Sequence, residues 1–210
     1  MTTLSKIPAM TPKSVHEYLT KIGSQWTGQG VAIELGSWLG ASAYALLQGL
    51  VPAGYDQPFY CFDNWICVEG QIPKAKAYGV DIQLNQDLLP LFLNNVTPIY
   101  DNIKPAKGSI RDSILKWDKK PIEICLFDAP KQEPIFSDSM RGVLPYFIEG
   151  VTELGLLDYY FYESKTGPMR EKFMAPVNFM KKYGHHFQQT TEFKEGSCVF
   201  FKYIKKIKGF

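Results

Sequence analysis

Val31-Ala32-Ile33-Glu34-Leu35-Gly36-Ser37-Trp38-Leu39-Gly40-Ala41-Ser42 is the stretch that decides the fold. Its first five residues make a short apolar run ending in glycine, the pattern of a strand buried on both faces of a parallel sheet. Beyond the glycines, Leu39, Ala43, Leu46, Leu47 and Leu50 recur at helical spacing, so the unit is strand, glycine turn, helix. Gly36 and Gly40 let the backbone approach a ligand closely, and the amides that open the following helix favour an anion. The plainer alternative is a tight strand-to-helix turn. Glu34 tips the balance toward a ligand, because an ionised carboxylate in an apolar strand is costly unless an amide or a cationic group partners it.

Outward from that unit the same alternation continues. Upstream, residues 14–26 carry Val15, Tyr18, Leu19, Ile22 and Trp26 on one helical face, with Ser14 and Glu17 spaced as a capping box. Downstream, the pattern predicts a strand over 58–62 ending at Asp63, an irregular stretch over 64–80, a helix over 81–96 and a strand over 97–103. A short helix over 109–117, a strand over 122–127, a helix through Phe136, Met140, Val143, Leu144 and Phe147, and a strand over 151–157 running into Asp158 follow. Residues 169–183 are helical with a break at Pro176, and Lys194-Glu195-Gly196 turns a closing hairpin. Alternating strands and helices imply parallel pairing, and the hairpin adds antiparallel strands at one edge. The expected class is α/β, a doubly wound Rossmann-like seven-stranded mixed sheet with a C-terminal antiparallel hairpin.

No repeat or linker divides the chain, so one domain over 1–210 is expected, with residues 1–13 as an N-terminal extension and 205–210 as a basic tail. A hydrophobic fraction of 45% excludes a disordered chain. The net charge of +2 lacks the basic stripe that would track phosphates, so nucleic acid is not the expected partner, and no apolar run is long enough for a membrane span. Cys61, Cys67, Cys125 and Cys198 have neither zinc spacing nor a disulfide framework, which points to a reducing, cytoplasmic location. A homo-oligomer stays open.

Ligands of open α/β sheets bind beyond the carboxyl ends of the strands, which here means Gly36 to Gly40, Asp63, Gly108-Ser109, Asp128 and Asp158. Asp63 suits two vicinal ribose hydroxyls or a turn, and Asn64-Trp65 offer an amide and a flat ring to a heteroaromatic group or, for the ring, to the core.

Residues 34–42 resemble motif I of the class I S-adenosylmethionine-dependent methyltransferases, especially the small bacterial branch that writes it E-[IL]-G-x-x-x-G-x-S. Phe62-Asp63-Asn64-Trp65, Lys107-Gly108-Ser109, Leu126-Phe127-Asp128-Ala129 and Leu157-Asp158-Tyr159 resemble the later landmarks of that family in the same order. The resemblance implies S-adenosylmethionine held by Glu34, Gly36, Ser37, Trp38, Gly40, Ser42, Asp63, Asn64, Trp65, Gly108, Ser109 and Asp128. Gly36 to Gly40 would cradle the methionine part, Asp63 the ribose, and Trp65, Gly108 and Ser109 the adenine. It further implies methyl transfer, with Asp128 and Asp158 as the leading catalytic candidates. The near-neutral charge and missing basic stripe point to a small-molecule or sugar acceptor, at oxygen, and Lys131, three residues past Asp128, is a further catalytic candidate.

In the metal-assisted members of this fold the two strand-end acids bind a divalent cation, so Asp128 and Asp158 are candidate Mg²⁺ ligands, although the usual third ligand position is Tyr159. Lys131 is open to three readings: a partner of Asp128, a substitute for a cation, or a surface lysine. His185 and His186 precede the edge hairpin, far from the strand ends, and are expected to be structural. Two rival functions stand beside the methyltransferase: an inactive cofactor-binding scaffold of the same fold, and an NAD-dependent oxidoreductase. The second lacks G-x-G-x-x-G and carries Trp38 where a pyrophosphate would approach.

Overall fold

The computed structural model describes residues 3–209, so Met1 and Thr2 of the expected extension and Phe210 of the expected basic tail lie outside the described residues. Among these, seven strands form one sheet: β1 (Val31–Leu35), β2 (Phe59–Asp63), β3 (Ile103–Lys107), β4 (Ile122–Phe127), β5 (Glu153–Leu156), β6 (Phe187–Phe193) and β7 (Cys198–Tyr203). Their order is β3-β2-β1-β4-β5-β7-β6. Strands β1 to β5 pair in parallel, and β7 runs antiparallel to both β5 and β6. The helices are α1 (Lys13–Ser24), α2 (Ala41–Leu50), α3 (Ile72–Lys76), α4 (Leu89–Val96), α5 (Ile110–Ser113), α6 (Ile135–Val143), α7 (Gly167–Lys172) and α8 (Ala175–Tyr183). The expected fold class is observed.

Successive residues of each strand point to opposite faces, so the sheet divides the core in two. Ala32, Cys61, Ile124 and Leu126 pack under Leu19 of α1, Leu46 of α2 and Phe92 of α4. On the other face Ile33, Leu35, Phe62, Cys125 and Phe127 meet Phe136 and Met140 of α6 and Phe179 of α8. Each fully buried Leu, Ile or Phe contributes about 1.5–3 kcal/mol by leaving water, which is why these runs dictate the sheet. The four cysteines are buried and free. No helix among the described residues is long and apolar enough to cross a membrane.

Four local expectations need correction. Helix α1 starts at Lys13 with Pro12 as its cap, because the Ser14 hydroxyl donates instead to Glu195 Oε1 at 2.9 Å and Glu17 pairs with Lys13. The helix expected over 81–96 begins only at Leu89. Before it, the Leu88 amide donates to Trp65 O at 2.8 Å and Asp87 bridges to Ile66, so this backbone is spent on the segment after β2. The strand expected over 97–103 lies instead at Ile103–Lys107, since the Ile99 and Tyr100 amides fold back onto Val96 O. Pro105 hid that strand; it is tolerated because β3 is an edge. The stretch over 169–183 is two helices, with Pro176 in the first turn of α8 rather than at a kink.

Candidate active site

The strand order reverses at β1, between β2 and β4, and the loops leaving these strands are tied to one another. The Gly36 amide donates to Phe62 O at 2.7 Å, and the amides of Asp128 and Ala129 both donate to Leu35 O at 2.9 and 3.0 Å. Gly36 and Gly40 adopt φ of 102° and 90°, the left-handed region that favours glycine. Asp63, at the end of β2, completes the turn: its Oδ2 accepts from the Trp38 amide at 2.9 Å and its Oδ1 from the Trp65 amide at 2.8 Å. Burial pushes the Asp63 carboxyl above its ordinary range, and those amide bonds hold it back. Asp63 therefore shapes the glycine turn as well as facing the cavity beside it.

Two buried glutamates show what is structural and what is not. Glu123 accepts from the amides of Thr27, Gln29 and Gly30, so both of its oxygens are used in closing the turn before β1. Glu34 is fully buried, yet only its Oε1 is partnered, by the Ser42 hydroxyl at 2.5 Å; Oε2 has no hydrogen-bond partner. Burial pushes the Glu34 carboxyl up to about 7, the Ser42 and more distant Ser37 hydroxyls opposing and Asp63 adding to the rise. A carboxyl raised in the folded state holds a proton that the unfolded chain releases, so its contribution to stability falls as pH rises from the unfolded value of 4.5 to about 7. The fall is on the order of 3 kcal/mol. Glu34→Gln is expected to abolish it: the variant should gain on the unliganded wild type in thermal denaturation between pH 5 and pH 7.5. A difference that stays flat across that window would refute the assignment.

Two cavities of about 340 and 330 Å³ open along this rim and share Asp63, Gln71 and Ala129. The first runs past Gly36 and Trp38 to Asp128, Lys131 and Asp158; the second is bounded by Asn64, Gly108 and Ser109. Ser37 and Ser42 face a small recess between the turn and Pro8 to Thr11. Glu34 does not reach the surface of either cavity and stands behind Ser42. Trp65 departs from expectation: its ring is buried against Phe92 and its Nε1 donates to Trp38 O at 2.9 Å, so it supports the turn from beneath instead of facing a ligand. Depressions of about 390 Å³ beside Arg141 and 530 Å³ beside His185, His186 and Lys205 hold none of the expected residues.

At the outer end of the first cavity, the Lys131 ammonium donates to Asp158 Oδ2 and lies 4.4 Å from the centroid of the Phe161 ring. Burial, then the negative charge of Asp158, push the Asp128 carboxyl well above the usual carboxylate range, and Lys131 opposes them. The candidate Mg²⁺ site at Asp128 and Asp158 is not supported by the donor set. Among the described residues no group of three or more His, Cys, Asp or Glu side chains could hold a metal ion. Tyr159, at the third ligand position, packs its ring on Tyr160 and Phe201. Of the aromatic run after β5, only Phe161 lines the cavity, since Tyr160 donates to Glu192 and Tyr162 to Glu163. His186 bonds to Lys205 O near the start of β6, away from the strand ends, as its position in the sequence suggested.

Met10, Thr11, Gln71, Lys74 and the Glu195–Ser197 turn also line the first cavity, and sequence reasoning missed all of them. Thr11 is held by His16 Nε2 at 2.8 Å, and Glu195 by Ser14. The turn residues had one usable signal: β7 runs antiparallel to β5, so the loop that opens β7 must lie beside the carboxyl end of β5.

No protein-family model matches the sequence, and no curated protein does. Solved structures do match. The O-methyltransferase NovP superposes with a TM-score of 0.62 at 14% identity, covering 92% of this chain and 79% of its own. The O-methyltransferase from Bacillus cereus, in complex with S-adenosylhomocysteine, gives 0.59 at 13% identity over 93% and 84%. A TDP-rhamnose 3'-O-methyltransferase of calicheamicin biosynthesis gives 0.54 at 13% identity over 90% and 76%. This chain has the Rossmann-like fold of the class I methyltransferases.

Proposed function

We propose that this chain, built on the class I methyltransferase fold, is an S-adenosylmethionine-dependent methyltransferase that modifies a hydroxyl of a small-molecule or sugar acceptor. One observation carries the reading: two cavities meet at Asp63 beside a glycine turn, and one of them ends at Asp128, Lys131 and Asp158. The residues present fit the cofactor. Trp38 Nε1 is a buried polar atom without a partner beside the Gly36–Gly40 turn, where the methionine part belongs, and Trp38 borders the cavity. Gly36, Ser37, Trp38, Gly40 and Ser42 form that end, with Glu34 acting through Ser42. Asp63, at the edge the two cavities share, is placed for the ribose hydroxyls, and Asn64, Gly108 and Ser109 border the adenine.

When bound, the cofactor supplies an electrophilic methyl carbon on a sulfonium, so a C–O bond forms as the C–S bond breaks and S-adenosylhomocysteine leaves. The protein aligns the acceptor and removes its proton. Asp128 takes that proton; burial and the charge of Asp158 raise its carboxyl well above the usual carboxylate range, which makes it a stronger base than an ordinary aspartate. Lys131, held by Asp158, faces the acceptor oxygen. Four acids, Asp63, Asp128, Asp158 and Glu195, outnumber Lys74 and Lys131 in the same cavity and disfavour a nucleic-acid backbone, while a polyol or phenol fits it. The TDP-rhamnose enzyme among the structural neighbours is consistent with a sugar acceptor.

Calorimetric titration with S-adenosylhomocysteine and with NADH, followed by transfer of labelled methyl from S-adenosylmethionine to pooled hydroxylated small molecules and sugars, tests the reading. Binding of S-adenosylhomocysteine but not NADH, with label appearing in an acceptor, is expected. Binding without any transfer favours the scaffold, and NADH binding alone overturns the cofactor.

A further inference from the structure

Asp128 and Asp158 stand at neighbouring strand ends, the arrangement that takes a divalent cation in metal-assisted methyl transfer. Here the charge balance at those ends is already met by a side chain. Lys131 lies three residues beyond Asp128, and its ammonium is bonded to Asp158 Oδ2. The negative charges of Asp158, Glu34 and Asp63 all bear on Asp128, and Lys131 is the cation that counters them. The Phe161 ring sits 4.4 Å from the Lys131 ammonium and 4.5 Å from that of Lys165, a packing that fixes where Lys131 points. Mg²⁺ needs near-octahedral oxygen ligation, and two carboxylates without a third hard ligand supply too little of it, the more so beside a fixed positive charge.

We propose that the Lys131 ammonium is a tethered replacement for the divalent cation: it neutralises the Asp128–Asp158 pair, meets the acceptor oxygen and makes the reaction independent of metal. The acceptor-facing part of this statement rests on the methyltransferase reading; the ion-binding part does not. Its consequence is a latent metal site. Removing the ammonium leaves two adjacent carboxylates inside a negative surrounding, a place where a divalent cation gains what the lysine gave up.

The test is Mn²⁺ titration followed by electron paramagnetic resonance on the full-length wild type, Lys131→Ala and Lys131→Gln, with S-adenosylhomocysteine binding measured on the same samples. The wild type is expected to show no stoichiometric Mn²⁺ site and turnover unaffected by EDTA. Lys131→Ala should bind one Mn²⁺ at least about tenfold more tightly than the wild type, and adding Asp158→Asn should remove that site. Lys131→Gln keeps the chain length and most of the packing, so it serves if the alanine variant does not fold. A wild-type Mn²⁺ site that depends on Asp128 and Asp158, loss of wild-type turnover in EDTA, or lysine variants that bind S-adenosylhomocysteine yet acquire no Mn²⁺ would each overturn the proposal. Failure of every sample to bind S-adenosylhomocysteine would instead count against the methyltransferase reading, with the Mn²⁺ titration still deciding on the cation.

Discussion

Asp128→Asn is expected to lower acceptor turnover by about 10²–10⁴-fold while S-adenosylhomocysteine binding changes only a few-fold. The substitution keeps the shape of the side chain and the Asp128 amide bond to Leu35 O, so the stitching of β1 to β4 survives. It removes the one group in the cavity whose carboxyl is driven well above the usual range by burial and by Asp158. An amide cannot take the acceptor's proton, so the loss should fall on kcat and not on cofactor affinity. Single-turnover methyl transfer beside calorimetry separates the two. A variant that keeps its turnover would mean that Asp128 is a wall of the pocket and the proton leaves by another route.

Gly36→Ala should cost on the order of 3 kcal/mol of stability and weaken S-adenosylhomocysteine at least about tenfold. Two effects add there. The backbone holds φ at 102°, which a side chain resists, and a Cβ would stand 2.5 Å from the Ala129 amide nitrogen and 2.6 Å from the Ala129 Cβ. Relief requires moving the loop that carries Asp128, and both cavities share Ala129. Gly54→Ala is the control: φ is 85°, but a Cβ there meets nothing within 4 Å, so only the conformational cost of about 1 kcal/mol is expected. Chemical denaturation of both variants distinguishes strain alone from strain with collision, and equal losses would show that the contact with Ala129 is unimportant.

The parts of the fold that the sequence specified are those where local pattern and tertiary demand agree. Residues 122–127 are apolar apart from the amide-bound Glu123 because both faces of β4 are covered, and their bounds are observed as expected. The edge strand β3 has no such constraint; Ile-Lys-Pro-Ala-Lys buries little, and its identity comes from pairing with β2. Ser14 carried a capping signal that a partner 181 residues away overrode. Trp65 was ambiguous between ligand platform and core, and burial of its ring against Phe92 settled it as core. Local propensity states a preference of a fraction of a kilocalorie, and a contact with the remainder of the chain readily outweighs it.

By itself the sequence determined the alternation of strand and helix, the glycine turn after β1, and the acids that end β2, β4 and β5. Each follows from hydrophobic periodicity or from a backbone geometry that few residues can adopt. Tertiary structure alone decided that Lys131 meets Asp158, that one oxygen of Glu34 is left without a partner, and that Met10, Thr11 and the turn opening β7 close the cavity. Those are relations between segments remote in the chain, fixed by strand order and direction, and no local pattern of residues encodes which ends will be neighbours.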